Sequence, residues 1–373
     1  MPIAIRSFAK INLGLKIGPL RADGFHELRT IYQTLALHDI VRVEVQPGVG
    51  IEIRCNDPRV PLDQSNTCYK IVERVLAVLQ GLKPGSQAAP DGTAKAVPLQ
   101  EEAFEAAESV PLQDQNYEMA RGGKIVIEID KRLPVQGGLG AASSNGIATV
   151  LGLERAIGTR LADEEKLRIA AEVGSDLPLF LVGGTVLGVG RGEQVHPLED
   201  LPTMHLVVVT PAVGVSTPAA FAHWDEMVAR EAELTGTVAT GTIKKLGQDV
   251  FTRLSESVFS QAASASKPAS GVPAVGGDRA ETPLLDLVRA GIENDFERVV
   301  FPEYPELLEV KRVLEREGAR FASLSGSGST LYGAFDLGEE AQDVATRMKA
   351  AGHAAVATTT LTREQYWREM FGE

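Results

Sequence analysis

Cysteine is scarce in this sequence: Cys55 and Cys68 are the only two in 373 residues. Two thiols are too few for a disulfide framework or a four-ligand zinc site, so we expect both to be small apolar residues of the core. The chain also lacks any run of about 18 apolar residues, which argues against a membrane-spanning helix. Its first residues lack the long apolar stretch of a signal peptide, and a reducing, cytoplasmic compartment is the expectation.

Positive charge is also in short supply. The chain has 37 Lys and Arg residues against 50 Asp and Glu residues, a formal net charge of −13. This balance argues against a surface for nucleic acid or anionic membranes, although a local basic pocket for a nucleotide remains open. The apolar content of 44% is ordinary for a globular protein, and the length allows two domains or one large one.

Apolar spacing predicts strands and helices without a steady βα alternation, which indicates an α+β fold. The predicted strands cover 3–8, 11–17, 39–45, 50–54, 124–130, 205–210, 330–335 and 354–361, and the predicted helices cover 66–79, 146–156, 162–173, 307–317 and 339–351. Ser65 or Asn66 is expected to cap the first helix. Residues 81–122 and 260–282 lack periodicity and are predicted insertions; the composition of the first favours a disordered excursion over a flap.

A glycine-rich loop lies between the predicted strand 124–130 and the predicted helix from Gly146. It spans Leu133-Pro-Val-Gln-Gly-Gly-Leu-Gly-Ala-Ala-Ser-Ser-Asn145. Glycines let a backbone approach an anion, and the free N–H groups of a helix start point at it, so this loop predicts a polyphosphate site. The loop lacks the Lys of a Walker A motif and the third glycine of a dinucleotide fingerprint. Ser143 and Ser144 are candidates to contact phosphate or Mg²⁺, or to act as N-caps.

A second small-residue segment, Ser323-Leu-Ser-Gly-Ser-Gly-Ser329, precedes a predicted buried strand. A flexible linker would not have such a flank, so we expect a second loop that closes on a nucleotide or supports the first loop.

Three further segments contain candidate catalytic or binding residues. Asp176, in Val173-Gly-Ser-Asp-Leu-Pro178, is either a helix cap or a base that activates a hydroxyl, and the residues alone leave both open. Lys10 and Asn12 project from one face of the first strand as a polar pair. Phe25 and His26 lie in a turn that is either a plain connection or a place to stack and hydrogen-bond a base.

The ordered set of motifs resembles the CDP-methylerythritol kinase family of the GHMP kinase superfamily. The motifs are Ala9-Lys-Ile-Asn-Leu13, Arg21-Ala-Asp-Gly-Phe-His26, Leu133 to Ser144, Gly174-Ser-Asp-Leu-Pro178, Gly183 to Glu193, Glu293-Asn-Asp-Phe296 and Ser325-Gly-Ser-Gly-Ser329. The central loop alone indicates the superfamily, and the motifs around Lys10 and His26 indicate the particular family. The resemblance runs nearly end to end, apart from the two insertions.

The resemblance implies a two-domain GHMP kinase fold with the active site in a cleft between the domains. Residues 1–155 would form the ATP-binding N-terminal domain and residues 156–373 the substrate-binding C-terminal domain. The implied reaction is ATP-dependent phosphorylation of the 2-hydroxyl of CDP-methylerythritol, in non-mevalonate isoprenoid biosynthesis. ATP and Mg²⁺ are the implied cofactors, and a monomer or weak homodimer is the implied assembly.

The resemblance also implies roles for individual residues. Lys10 and Asp176 would be catalytic, with Asp176 as the base and Lys10 orienting it and the acceptor hydroxyl. The implied ATP contacts are Asn66, on the adenine side, and Pro134, Gly137, Gly138, Leu139, Gly140, Ala141, Ala142, Ser143 and Ser144. The implied substrate contacts are Asn12, Phe25, His26, Thr217 and Phe221, with His26 toward the cytosine and the aromatic rings stacking on it.

Two departures from the family pattern have physical consequences. Ala141 and Ala142 replace common glycines, which predicts that the helix after the loop begins earlier here. The residues after Gly18 are Pro-Leu-Arg, so fewer basic groups would lie near the substrate diphosphate.

Two alternative functions compete with this interpretation. Another kinase of the superfamily, acting on mevalonate or homoserine, would share the phosphate loop but need no base-stacking pair. A nucleotide sensor without activity would not need Lys10 and Asp176, and both are present.

Overall fold

The computed structural model describes residues 1–79, 123–135, 137–235 and 293–372. Both predicted insertions, 81–122 and 260–282, lie outside the described residues. Within these ranges the fold is α+β, as predicted, with a six-stranded sheet and a four-stranded sheet. None of the helices described in these ranges is long and apolar enough to cross a bilayer.

The six-stranded sheet is built on a long antiparallel hairpin, β1 (Ile3–Leu20) and β2 (His26–Pro47). The sequence predicted two strands where β1 is continuous, because register shifts after Phe8 and after Asn12 interrupt the alternation without ending the strand. The other strands of this sheet are β3 (Gly50–Cys55), β4 (Gly123–Asp130), β5 (Thr185–Val189) and β6 (Gln194–Pro197).

Three helices pack on this sheet: α1 (Thr67–Leu79), α2 (Ala141–Ile157) and α3 (Asp163–Val173). Ile71, Ile147 and Ile169, one from each helix, are buried in a cluster with residues of the sheet. Helix α2 begins at Ala141, five residues before the periodicity suggested, which confirms the expectation that the two alanines start it early.

The two cysteines lie beside this core. Cys68 is buried, as predicted, and burial raises the pKa of its thiol to about 12. Cys55 is only partly buried, because it is the last residue of β3.

The four-stranded sheet has the order β10-β7-β9-β8 and is antiparallel throughout. Its strands are β7 (His205–Val209), β8 (Phe321–Leu324), β9 (Leu331–Phe335) and β10 (Ala355–Thr359). The helices of this region are α4 (Thr217–Thr235), α5 (Glu297–Glu303), α6 (Pro305–Arg316) and α7 (Gly338–Ala350). Strand β8 was not predicted: the sequence suggested only the start of a loop there. Its small residues carry a weak strand pattern, which is why the strand was missed.

Strand β1 contributes to both cores. Ile5 and Phe8 pack in the cluster beneath α1 and α2, whereas Leu15 and Ile17 pack with the helices of the second sheet. The middle of β1, which carries Lys10 and Asn12, therefore lies where the two sheets meet.

The end of the chain returns to the first sheet. Helix α8 (Arg363–Met370) begins at a capping box formed by Thr362 and Gln365. The Tyr366 hydroxyl donates to the Phe180 carbonyl at 2.7 Å, and the Trp367 indole N–H donates to the Val182 carbonyl at 3.0 Å. Strands β5 and β6 belong to the same sheet, so segments from both sides of residue 155 build it. The division of the chain near residue 155 stays a prediction.

A buried carboxylate fixes the segment that leads into the glycine-rich loop. Asp39 is fully buried, and its Oδ1 accepts the backbone N–H groups of Arg132 and Leu133, both at 2.7 Å. Its Oδ2 accepts from Lys131 Nζ at 2.7 Å and from the side-chain amide of Asn145 at 3.1 Å. One side chain of β2 therefore holds both the start of the loop and the first turns of α2.

Replacing Asp39 with Asn should destabilise this region strongly. The change leaves the buried Lys131 ammonium without its counter-ion. If the amide oxygen keeps the two backbone donors, its NH₂ group takes the place of the oxygen that accepts from Lys131 and from the Asn145 amide. We expect the free energy of unfolding, measured by urea denaturation, to fall by about 3–5 kcal/mol.

The matched control is Asp130→Asn on the adjacent strand end. Asp130 forms a surface ion pair with Arg132 at 2.8 Å, so its loss should change the free energy of unfolding by less than about 1 kcal/mol. Equal losses in the two variants would contradict the anchoring role of Asp39.

Candidate active site

A buried lysine and a partly exposed aspartate face each other where the two sheets meet. Lys10 is 3% exposed, and its Nζ lies 3.2 Å from Asp176 Oδ2 and 2.8 Å from Asn12 Oδ1. Asn12 in turn donates to Thr30 Oγ1 at 2.7 Å. The Asp176 side chain keeps 34% of its surface exposed, so the ion pair orients a carboxylate that a ligand can still reach.

The structure decides against the capping interpretation of Asp176. The short 3₁₀ helix Pro178–Leu181 follows it, and no side chain caps that helix. The Asp176 carboxylate instead contacts Lys10 Nζ and the Tyr32 hydroxyl.

Tyr32 is a third member of this cluster, and sequence reasoning missed it. Its hydroxyl donates to Asp176 Oδ1 at 3.1 Å. Burial, reinforced by the Asp176 carboxylate, raises the pKa of Tyr32 well above its ordinary value, so the phenol stays protonated and remains a donor. The signal for it was the hairpin register, because Tyr32 on β2 pairs directly with Asn12 on β1.

The first glycine-rich loop passes directly over Lys10. The Lys10 backbone N–H donates to the Leu139 carbonyl at 3.0 Å. Gly140 has a φ of 68°, and a Cβ there would lie 2.9 Å from Lys10 Cγ and 3.0 Å from Phe180 Cζ. Only glycine allows both this backbone conformation and this close approach.

Helix α2 starts immediately after Gly140, and no side chain among the described residues caps it. The first helical N–H to find a carbonyl is that of Ser144, which donates to Gly140 at 2.9 Å. An uncapped helix start offers its earlier N–H groups, those of Ala141, Ala142 and Ser143, to an anion.

The two serines of this turn differ in accessibility. Ser144 is buried, and its Oγ accepts from Ser7 Oγ at 2.8 Å. Ser143 is only half-buried, so it is the more accessible hydroxyl for a phosphate or a metal ion.

The second glycine-rich loop packs against the first. Ser325 Oγ donates to the Gly138 carbonyl at 3.0 Å, and the Thr330 N–H donates to the Gly137 carbonyl at 3.2 Å. A Cβ on Gly138, which has a φ of 79°, would lie 2.3 Å from the Ser325 carbonyl oxygen. The two loops are therefore in backbone contact, as the sequence suggested for a supporting loop. Pro134 lies at the entry to the first loop, where a Cβ on Gly137 would lie 3.5 Å from its Cγ.

The second loop also reaches the ion pair. A Cβ on Gly326 would lie 3.4 Å from Asn12 Oδ1 and 3.8 Å from Lys10 Nζ. The Asn294 side chain holds this loop by donating to the carbonyls of Leu324 at 2.8 Å and Gly326 at 2.7 Å. The Glu293-Asn-Asp-Phe296 motif thus contributes to the site through Asn294, which holds the second loop.

Three of the expected substrate contacts lie together at the other end of the site. The rings of His26 and Phe221 are parallel within 4° at a centroid distance of 5.3 Å. His26 Nδ1 lies 3.0 Å from the Gly18 carbonyl, and Nε2 lies 3.0 Å from Asp225 Oδ1, a neighbour that the sequence did not suggest. Thr217 Oγ1 lies 2.7 Å from Ser327 Oγ and so links this end to the second loop.

Phe25 and Asn66 stand apart from these contacts. Phe25 is 51% exposed, with the guanidinium of Arg191 5.0 Å from its ring centre. Asn66 caps α1: its Oδ1 accepts the Cys68 N–H at 2.8 Å, and its Nδ2 donates to the Pro61 carbonyl at 2.6 Å. Asn66 thus does what the sequence suggested for an N-cap, and its contact with adenine stays a prediction.

Comparison with known families gives two consecutive matches along the chain. Residues 103–184 match the family model of the GHMP kinases N terminal domain, and residues 281–354 match that of the GHMP kinases C terminal. The first match contains the glycine-rich loop and Asp176, and the second contains the Ser325–Ser329 loop.

Curated relatives match over nearly the whole chain. The 4-diphosphocytidyl-2-C-methyl-D-erythritol kinase of Acaryochloris marina is 30% identical over 93% of this chain and 91% of its own length. The enzyme of the same name from a Nocardioides species is 31% identical over 94% of this chain and 95% of its own length.

Solved structures share the fold. A crystal structure of 4-(cytidine 5'-diphospho)-2C-methyl-D-erythritol kinase has a TM-score of 0.60 at 23% identity, covering 96% of this chain and 98% of its own. The mevalonate kinase of L. major has a TM-score of 0.60 at 15% identity, covering 96% of both chains. The curated relatives and the two family models confirm the family that the motifs indicated: the chain belongs to the 4-diphosphocytidyl-2-C-methyl-D-erythritol kinase family of GHMP kinases.

Proposed function

We propose that this protein transfers the γ-phosphoryl group of ATP to the 2-hydroxyl of 4-diphosphocytidyl-2-C-methyl-D-erythritol (CDP-methylerythritol). The observation that carries the proposal is the Lys10–Asp176 ion pair, 3.2 Å long, directly beside an uncapped helix start. A carboxylate that can accept a proton and a cradle that can hold a triphosphate are thus within one site. Phosphoryl transfer needs these two things more than it needs covalent catalysis.

The phosphate end of the proposed site is formed by backbone. Gly138 and Gly140 let the loop approach the second loop and Lys10, and the N–H groups at the start of α2 would hold phosphate oxygens. These features fit a nucleoside triphosphate, whose charge is concentrated in its phosphates.

Mg²⁺ fits this site as an ion held mainly by ATP. Among the residues that the structure describes, no group of three or more His, Cys, Asp or Glu side chains could hold a metal. Ser143, the more accessible hydroxyl of the α2 start, would supply a protein ligand, since Mg²⁺ commonly takes few protein ligands beside substrate phosphates. When bound, the ion neutralises charge on the transferring phosphoryl group.

The acceptor end of the proposed mechanism depends on three side chains. Asp176 would accept the proton of the 2-hydroxyl as transfer proceeds. Lys10, fixed by Asn12, orients Asp176 and is close enough to orient the acceptor hydroxyl. Tyr32 donates to the other carboxylate oxygen and so leaves one orientation of the carboxylate favoured.

The cytidine end would use the aromatic residues near the β1–β2 turn. Phe25 is half exposed, and the rings of His26 and Phe221 stack on each other nearby. Flat rings with a histidine among them suit a pyrimidine base, which can both stack and hydrogen-bond.

The acceptor test compares ATP turnover with CDP-methylerythritol, mevalonate and homoserine, each with Mg²⁺. We expect turnover with CDP-methylerythritol alone, because neither of the other alcohols carries a base for the aromatic residues. Turnover with mevalonate or homoserine instead would keep the kinase family and overturn the acceptor. Omission of Mg²⁺ should abolish turnover.

Asp176→Asn should lower kcat by about 10²- to 10⁴-fold while leaving the KM for both substrates within a few-fold, because an amide keeps the shape but cannot accept the proton. Steady-state kinetics of ATP turnover with CDP-methylerythritol measures this. Asp343→Asn, at an exposed position on α7, is the matched control and should behave as the wild type. A near-normal kcat for Asp176→Asn would remove Asp176 from the mechanism.

Gly138→Ala should lower kcat/KM for ATP by about 10²-fold, because the added Cβ would push the two glycine-rich loops apart by an ångström or so. Gly352→Ala is the control for backbone strain alone: its φ of 91° is similar, but nothing lies within 4 Å of the added Cβ. If the two variants lose the same activity, loop contact is not the cause.

A further inference from the structure

The turn between β5 and β6, residues 190–192, lies between the aromatic end of the site and the reacting carboxylate. On one side, the Arg191 guanidinium is 5.0 Å from the centre of the Phe25 ring. On the other side, a Cβ on Gly192 would lie 2.4 Å from the Tyr32 hydroxyl oxygen, and that hydroxyl donates to Asp176. The turn thus spans the distance from the proposed base-stacking ring to the proposed proton acceptor.

The turn is held in this place by the β1–β2 hairpin. The Leu28 N–H donates to the Gly190 carbonyl at 2.6 Å, and the Gly190 N–H donates to Glu27 Oε1 at 3.1 Å. The Arg191 N–H donates to Glu193 Oε2 at 2.6 Å. The backbone of Arg191 is therefore fixed, and only its side chain is free to adapt.

Two cations of the β1–β2 hairpin, Arg21 and Lys16, each form two ion pairs with carboxylates. Arg21 forms ion pairs with Asp23 at 3.2 Å and with Glu27 at 2.8 Å. Lys16 forms ion pairs with Asp295 at 2.9 Å and with Glu293 at 3.4 Å.

Arg191 is less strongly paired than Arg21 and Lys16. Within the part of the chain that the structure describes, its guanidinium forms one long ion pair, 3.7 Å from Nε to Glu193 Oε1, and its side chain is 31% exposed. A weakly paired guanidinium with a solvent-facing surface can take an anion at little cost in desolvation.

We propose that Arg191 binds the diphosphate of the substrate and so selects a nucleoside diphosphate ester over a plain nucleoside. This inference rests on the proposed function. The covalent order of the substrate is base, ribose, diphosphate and then the alcohol that is phosphorylated. The spatial order of the site is Phe25 with His26, then Arg191, then Tyr32 with Asp176.

Arginine suits this task better than lysine would. Its planar fork can donate two parallel hydrogen bonds to phosphate oxygens, and its flat face rests on an aromatic ring. The contact with Phe25 would hold the guanidinium in place before the substrate arrives, which reduces the entropy lost on binding. Arg191 would also add a positive charge beside the segment Gly18-Pro-Leu-Arg21, whose single basic residue, Arg21, is already paired with two carboxylates.

The test compares the binding of cytidine and of CDP to the full-length chain by isothermal titration. We expect Arg191→Gln to weaken CDP binding by about 10- to 100-fold, the range for a lost hydrogen-bonded charge, and to leave cytidine binding within about twofold. The KM for CDP-methylerythritol should rise by the same factor as the CDP affinity falls, with the KM for ATP unchanged. Unchanged cytidine binding also shows that the variant is folded.

Two further variants sharpen the result. Arg191→Lys keeps the charge but loses the two parallel hydrogen-bond donors and the planar surface of the guanidinium. It should give an intermediate loss of CDP affinity. Arg21→Gln removes the neighbouring, fully paired arginine and should leave the preference for CDP over cytidine as in the wild type. Loss of that preference in Arg21→Gln but not in Arg191→Gln would assign the diphosphate to Arg21 and overturn the inference.

The inference and the proposed function fail in distinguishable ways. A wild-type protein that turns over CDP-methylerythritol, with the same preference for CDP in Arg191→Gln, overturns the inference alone. A wild-type protein that neither binds CDP nor turns over CDP-methylerythritol overturns the proposed function and the inference with it.

Discussion

The buried ammonium of Lys10 is the constraint on which the rest of the site depends. A charge with 3% of its residue exposed is tolerated only where other groups satisfy it, and here Asn12 at 2.8 Å and Asp176 at 3.2 Å do so. The same residue's backbone N–H holds the Leu139 carbonyl of the first glycine-rich loop. One residue of β1 therefore fixes the Asp176 carboxylate and the first glycine-rich loop relative to each other, and the proposed phosphoryl transfer would be sensitive to that distance.

Close backbone contacts, rather than side chains, determine how the two glycine-rich loops pack. A Cβ on Gly138 would collide with the Ser325 carbonyl, and a Cβ on Gly140 would collide with Lys10. The loops come from opposite halves of the chain, and Asp39 holds the entry to the first while Asn294 holds the second. A site formed mainly by main-chain N–H groups needs such anchors, because loops without them would lose the arrangement to conformational entropy.

Local structural features could be predicted from the sequence, whereas the placement of residues that are distant along the chain could not. The alternation of β4, the early start of α2 after Ala141 and the cap at Asn66 follow from neighbouring residues, and the prediction was right for each. Tyr32 and Asp225 carry no local signature: the first joins the site through hairpin register, and the second through the packing of α4 beside the β1–β2 turn. The return of β5, β6 and α8 to the first sheet likewise depends on tertiary contacts that periodicity does not contain.

The overall charge makes the local arrangement of cations decisive. A chain with a net charge of −13 repels ATP and a nucleoside diphosphate over most of its surface. Attraction of the phosphates must then come from nearby positively charged groups that are not already paired with a carboxylate. Lys16 and Arg21 fail this condition because each forms two ion pairs, whereas the uncapped start of α2 and the weakly paired Arg191 meet it. If these two elements are the anion-binding groups, phosphates are drawn to the two ends of the Lys10–Asp176 cluster, and the reacting hydroxyl is left between them.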